Sequence, residues 1–273
     1  MSKTLYISDL DGTLLNSNAE LSDYTTDKLN ALIADGLHFT VATARASQST
    51  QKVLANLNLR LPIILMNGAL IYNLEQQCYA KINTLSPEAA LAIINILRQF
   101  DTTAFMYECN DGEFITYHEA SKSQIMRDFI AERIASYQRR FRHIENFSNA
   151  SYKHIIYFTL LDTHERLLPI YNALQVLSGL NCVLYHDTYR KGFWFLEIFS
   201  VDASKQTAAD YLRETFGFER LIGFGDNLND LPLFAACDVK VSVENAVAEV
   251  RAASDFVCDK NDRDGVVKWL LDI

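Results

Sequence analysis

At 273 residues the chain has room for one large domain or two modest ones, and its 49% hydrophobic and 22% charged content is that of an ordinary globular protein. A net charge of −9 argues against a nucleic-acid backbone as partner, because that affinity comes from Lys and Arg, whereas a small phosphorylated molecule needs only a local positive pocket. Five cysteines without a Cys-x-x-Cys pair (Cys78, Cys109, Cys182, Cys237 and Cys258) argue against a zinc cluster or disulfide framework, and read as reduced thiols of a cytoplasmic protein. No secretory pattern opens the chain, and no run approaches the ~18 apolar residues of a membrane span, so no membrane partner is expected.

Residues 4–10 read as an apolar strand running into Asp9-Leu10-Asp11-Gly12-Thr13-Leu14. Side chains two apart on an extended segment share a face, so Asp9 and Asp11 point the same way. Two carboxylates that close repel unless a cation or shared proton compensates. The pair suits a Mg²⁺ site with one carboxylate as nucleophile and the second group as proton donor; a surface turn is the ordinary alternative. Ser22 or Asp23 caps a helix that runs to residue 35 and stops at Gly36. Residues 38–43 read as strand, 48–57 as helix, and 61–66 as a third apolar strand. Continuous apolar strands separated by amphipathic helices indicate a parallel sheet covered on both faces.

The pattern changes after residue 80. Ser86-Pro87-Glu88 opens a helix reaching residue 100, with Ser as cap and Pro in the first turn. Strands at 104–109 and 113–118 are joined by the hairpin tripeptide Asn110-Asp111-Gly112. A helix at 123–139, a strand at 153–160, a helix at 162–178 and strands at 182–185 and 193–199 complete an α+β module. From residue 204 strand–helix alternation returns: helices at 204–216, 228–236, 245–253 and 265–271, strands at 221–224, 239–243 and 256–258. The economical topology is an α/β core from residues 1–83 and 199–273, interrupted by a cap (lid) domain at 84–198, with hinges at 81–84 and 199–202. Within that cap, Met106, Tyr107 and Tyr157 read as core. The run Tyr189-Arg190-Lys191-Gly192-Phe193-Trp194 reads as an edge strand with solvated basics more readily than as a substrate face.

Four segments stand at expected core strand ends or close to them: Asp9/Asp11; Val41-Ala42-Thr43-Ala44-Arg45; Lys205; and Gly223-Phe224-Gly225-Asp226-Asn227-Leu228-Asn229-Asp230. Ligands of open parallel sheets bind beyond the carboxyl ends of the strands. Each segment has an ordinary explanation as a strand end, a solvated lysine or a helix cap; together they point to one site.

Asp9-x-Asp11-Gly12-Thr13, Thr43, Lys205 and Gly225-Asp226-x-x-Asn229-Asp230 resemble the four motifs of the haloacid dehalogenase-like superfamily. The insert position, Met66-Asn67-Gly68-Ala69 and Asn261-x-x-Asp264-Gly265-Val266 resemble its Cof-type phosphatases. Two departures stand out: Ala44 where members often carry Gly, and Ala203-Ser204-Lys205-Gln206 where they often carry Gly on both sides of the Lys. The resemblance implies a Rossmann-like core and a phosphatase of small phosphorylated metabolites, sugar phosphates foremost, acting through an aspartyl-phosphate. It implies Asp9 as nucleophile, Asp11 as acid and base, and Mg²⁺ held by Asp9, the Asp11 backbone carbonyl and Asp226. Phosphate would be held by Thr43, Lys205, Asn229 and the amides near Leu10 and Ala44, with Asp230 orienting Lys205. A phosphomutase on the same scaffold and a non-catalytic phosphometabolite sensor are the alternatives.

Overall fold

The computed structural model describes residues 3–110, 112–137, 141–147 and 152–273; the expected turn residue Asp111 and the expected helix end at Arg139 lie outside the described residues. The chain divides into two compact units, Met1–Lys81 with Ser204–Ile273, and Ile82–Ala203.

The first unit is built on a five-stranded parallel sheet in the order β14-β13-β12-β1-β2. Its strands are β1 (Thr4–Ser8), β2 (His38–Val41), β12 (Arg220–Gly225), β13 (Val239–Val243) and β14 (Phe256–Cys258). Alternation along the strands decides what covers each face. Leu5, Ile7 and Leu221 share a core with Ala208, Ala209 and Leu212 of α6 (Lys205–Phe216) and Leu233 of α7 (Leu231–Ala236). On the opposite face Phe224 meets Trp269 of α9 (Gly265–Leu271), ring centroids 5.3 Å apart. Gly223 is required on the α7 side, where a Cβ would stand 2.6 Å from Cys237 Sγ. Ser22 caps α1 (Asp23–Ala34) by accepting from the Thr25 amide, and Ser204 caps α6 through a reciprocal box with Thr207.

The third apolar strand is not a full member of the parallel sheet. β3 (Ile63–Leu65) pairs antiparallel with β4 (Leu70–Asn73), which adjoins β5 (Cys78–Ile82) in a separate three-stranded sheet. Only one parallel bridge, Ala42 to Ile64, ties β3 to the residue after β2. The tight Met66–Gly68 turn reverses the chain before a longer parallel pairing forms. Three other segments begin or end differently from the sequence pattern, the first two for identifiable reasons. Residues 228–230 form a 3-10 turn before α7, because the Asp230 carboxylate takes two backbone amides as acceptor. Helix α8 spans Ala248–Ala253, since the Val247 amide is bonded to the Asp226 carbonyl. Helix α2 spans Ser47–Val53, shorter than the apolar periodicity suggested.

The second unit carries a six-stranded sheet in the order β10-β11-β9-β6-β7-β8, antiparallel except at β7–β8. Its strands are β6 (Phe105–Asn110), β7 (Glu113–His118), β8 (Phe141–His143), β9 (Ile155–Asp162), β10 (Leu180–His186) and β11 (Trp194–Ser200). Helices α3 (Pro87–Gln99) and α5 (His164–Leu174) pack Ile93, Leu97, Leu167 and Ile170 against Met106, Phe158 and Ile198. Phe129 of α4 (Gln124–Tyr137) contacts Phe105 and Phe195. Asp162 ends β9 rather than opening a helix, because it pairs across to Trp194. Met106, Tyr107 and Tyr157 are buried. The 189–194 run is the connection between β10 and β11 and the start of β11, and its Arg190 is paired with Glu132 and Asp187 rather than solvated.

Candidate active site

The site assembles where β1 and β12 lie side by side. The chain leaves β1 toward β2 on one flank and returns through β12 on the other, so this is the switch point of the sheet, where a crevice opens beyond the strand ends. The Asp9 amide donates to the Phe224 carbonyl at 3.0 Å, extending the ladder by one residue and bringing the chain after each strand together. Gly12, at φ 81°, then turns the chain back, and the Leu15 amide closes the loop on the Leu10 carbonyl at 2.9 Å. Carboxylate oxygens of Asp9, Asp226 and Asp230 lie within 4.8 Å of one another, and all three residues are buried.

Lys205 sits in the first turn of α6 with its side chain 0% exposed. Its ammonium donates to Asp9 Oδ1 and to Asp230 Oδ1, both at 2.6 Å. Burial alone would lower its pKa; Asp230 and Asp9 outweigh that and hold it above the ordinary lysine value, so the site has a permanent cation. Asp230 Oδ2 accepts from the amides of Asp226 and Asn227, at 2.9 and 3.0 Å. With both oxygens committed, Asp230 is a support for Lys205 and for the loop. Gly225 makes room for it: a Cβ there would stand 2.6 Å from Asp230 Cβ.

Three buried carboxylates face one buried ammonium, and burial with mutual repulsion favours the protonated forms of Asp9 and Asp226. Burial pushes Asp9 up to about 8, with Asp230 and Asp11 adding repulsion and Lys205 offsetting part of it. Asp226 is raised for the same reason, burial first and then Asp230 and Asp9, against the bond it accepts from Thr13 Oγ at 2.9 Å. An oxygen-ligand set with surplus negative charge fits a hard divalent cation, and Asp9 and Asp226 are the two carboxylates that Asp230's role leaves for it.

A haloacid dehalogenase-like hydrolase family model matches residues 6–270. The chain belongs to that family. Among its relatives, a Bacillus subtilis protein named 5-amino-6-(5-phospho-D-ribitylamino)uracil phosphatase YitU is 22% identical over 266 residues, covering 96% of this chain and 94% of the relative. The solved structure of TM0651 from Thermotoga maritima superposes with a TM-score of 0.76 at 27% identity, over 100% of this chain and 98% of the other. The sugar phosphatase BT4131 shares the fold at a TM-score of 0.76 and 19% identity, over 99% and 98% of the two chains.

The remaining motif residues of this haloacid dehalogenase-like chain surround the same strand ends. Asp11 lies two residues after Asp9, ahead of the turn at Gly12, and its carboxylate is gripped by Arg45 through two bonds, Nε to Oδ2 at 2.7 Å and Nη2 to Oδ1. Thr43 and Ala44 leave the end of β2, the strand beside β1, and Thr43 Oγ accepts from the Arg45 amide at 3.1 Å. Ala44 is not among the positive-φ residues, so replacing Gly there imposes no backbone strain, and Ser204 acts as a helix cap. Leu10 is fully buried behind the loop. Asn229 donates its side-chain amide to Asn67 Oδ1 at 3.3 Å. Sequence reasoning assigned no role to Arg45, Asn67 or Asn245. Asn245 donates to the Gly12 carbonyl at 2.7 Å and accepts from the Asn261 amide, whose own side chain holds the Leu15 carbonyl. The signal for these was the unexplained Met66-Asn67-Gly68 and Asn261-x-x-Asp264-Gly265 stretches; their partners lie up to 246 positions away, beyond any local pattern.

Proposed function

We propose that the chain is a Mg²⁺-dependent phosphatase of small phosphorylated metabolites, sugar phosphates foremost, that works through an aspartyl-phosphate at Asp9. The observation that carries this reading is the buried Asp9–Lys205–Asp230 chain with Asp226 beside it. A carboxylate is fixed by a permanent cation, in a pocket that still carries excess negative charge.

In the first step a carboxylate oxygen of Asp9 forms a bond to phosphorus as the bond to the leaving oxygen breaks, and Asp11 gives its proton to that oxygen. In the second, water attacks the same phosphorus, Asp11 takes the water's proton, and Asp9 is released. Asp11 enters this cycle only after leaving the grip of Arg45. Lys205, Thr43, Asn229 and the amides near Leu10 and Ala44 hold the non-bridging phosphate oxygens, and preorganised donors of this kind contribute most of the stabilisation in such transfers. Mg²⁺ held by Asp9, Asp226 and the Asp11 carbonyl oxygen would supply positive charge against the repulsion between carboxylate and phosphate. The 82–203 unit is proposed as the cap that selects the leaving group. That part rests on the resemblance to Cof-type phosphatases.

Purified protein should hydrolyse p-nitrophenyl phosphate with Mg²⁺, stop in chelator, and lose turnover on Asp9→Asn. Turnover retained by Asp9→Asn rules out the nucleophile; a wild-type protein inert toward a broad panel of phosphate esters rules out the enzyme.

A further inference from the structure

The turn after β3 has the most unusual backbone of the first unit. Met66, Asn67 and Gly68 follow one another at φ 48°, 50° and 95°, and all three are buried. Two residues with side chains in the left-handed region, back to back, persist only where the surroundings over-determine them, and such places cluster at functional sites. Here the surroundings are three elements of the active site. The Met66 amide donates to the Arg45 carbonyl at 3.1 Å and the Asn67 amide to the Thr43 carbonyl at 3.0 Å. Gly68 lies against the residue before Lys205 so closely that a Cβ would stand 2.1 Å from the Ser204 carbonyl oxygen. The Asn67 side chain takes the bond from Asn229.

We propose that this turn is a gauge that spaces the phosphate-holding groups, and that Asn67 is a positioning residue that sets the rotation of the Asn229 amide. A carboxamide presents either a carbonyl or an N–H₂ group, and only the N–H₂ end suits an anion. Asn67 Oδ1 accepts one N–H of Asn229, which fixes the flip and leaves that nitrogen's second hydrogen for a phosphate oxygen. Asn67 touches no reacting atom. The inference rests on the phosphatase reading and adds to it a device that keeps a donor, rather than an acceptor, facing the substrate.

The test uses the full chain with p-nitrophenyl phosphate, Mg²⁺ and inorganic phosphate as competing product. Asn67→Gly keeps the left-handed backbone and deletes the acceptor. It should weaken inhibition by inorganic phosphate and raise KM by about tenfold, one hydrogen bond's worth, while kcat changes far less and the protein stays folded at the assay temperature with a melting temperature lower by only a few degrees. Asn229→Ala, which deletes the phosphate contact itself, should lose at least as much phosphate inhibition and lower kcat as well, and the double variant should be no worse than Asn229→Ala alone, because Asn67 acts only through Asn229. Unchanged phosphate inhibition in Asn67→Gly, or losses that add in the double variant, overturns the inference while wild-type turnover leaves the phosphatase reading standing. A wild-type protein without turnover overturns both.

Discussion

Replacing Lys205 by Met separates charge from packing, since the apolar chain still fills the space of the lysine stem. The wild-type ammonium makes two 2.6 Å bonds to carboxylates with no exposure of its own, so the variant leaves Asp9, Asp226 and Asp230 crowded within 4.8 Å without a counter-charge. Removing one partner from a buried ion pair costs about 3–5 kcal/mol. At roughly 2–4 °C of melting temperature per kcal/mol for a chain of this size, the expected fall is on the order of 6–20 °C in chelator. Carboxylates whose folded pKa is raised favour folding below their unfolded pKa and lose that contribution as pH rises. The deficit should therefore be small at about pH 5 and widen toward about pH 8. Mg²⁺ at a hundredfold excess over each protein's dissociation constant should raise that protein's own stability by about 2.7 kcal/mol over its value in chelator. Thermal melts of both proteins, with chelator and with Mg²⁺, read all three effects. A variant that melts with the wild type in chelator at about pH 8 would refute the idea that Lys205 neutralises a carboxylate cluster.

Two further expectations concern neighbouring chemistry and the thiols. Arg45→Ala should leave kcat unchanged or raise it, because Asp11 then enters the cycle without first leaving Arg45, and should cost at most about 1 kcal/mol of stability, because the pair is partly exposed at 12% and 25%; turnover and melting are measured on one preparation, and a fall in kcat of about tenfold would contradict a role for free Asp11. Cys109, Cys182, Cys237 and Cys258 are pushed up to about 12 by burial, while Cys78 is exposed. Native protein at neutral pH should take up maleimide at Cys78 alone, and unfolding should open all five cysteines; rapid native labelling at any of the other four would contradict the packing described.

Strand ends were the legible part of the chain. Asp9, Asp11, Thr43 and Asp226 follow apolar runs that only a buried sheet explains, and the parallel pairing of β1 with β2 and β12 brings them together. Lys205 was legible by resemblance; that a lysine at a helix start is buried with two carboxylates depends on the course of α6 across the sheet. What stayed hidden is set by contacts between distant segments. β3 reads as one more parallel strand, yet three consecutive left-handed residues fold it into a hairpin. The bond from Asn245 to the Gly12 carbonyl spans 233 positions, and no spacing rule reaches that far. Asp230 was expected by resemblance to orient Lys205; what the sequence did not suggest is that its second oxygen accepts from the amides of Asp226 and Asn227 while the first takes the Lys205 ammonium.

The claim on which the rest depends is that Asp9 becomes phosphorylated. Protein quenched in acid during turnover of an aryl phosphate with Mg²⁺, then reduced with borohydride, would carry any acyl phosphate as homoserine, and peptide mass spectrometry would locate it. The account predicts homoserine at position 9, absent from the chelated control and from Asp9→Asn. Product formed while Asp9 stays unmodified, or homoserine at another position, would contradict it.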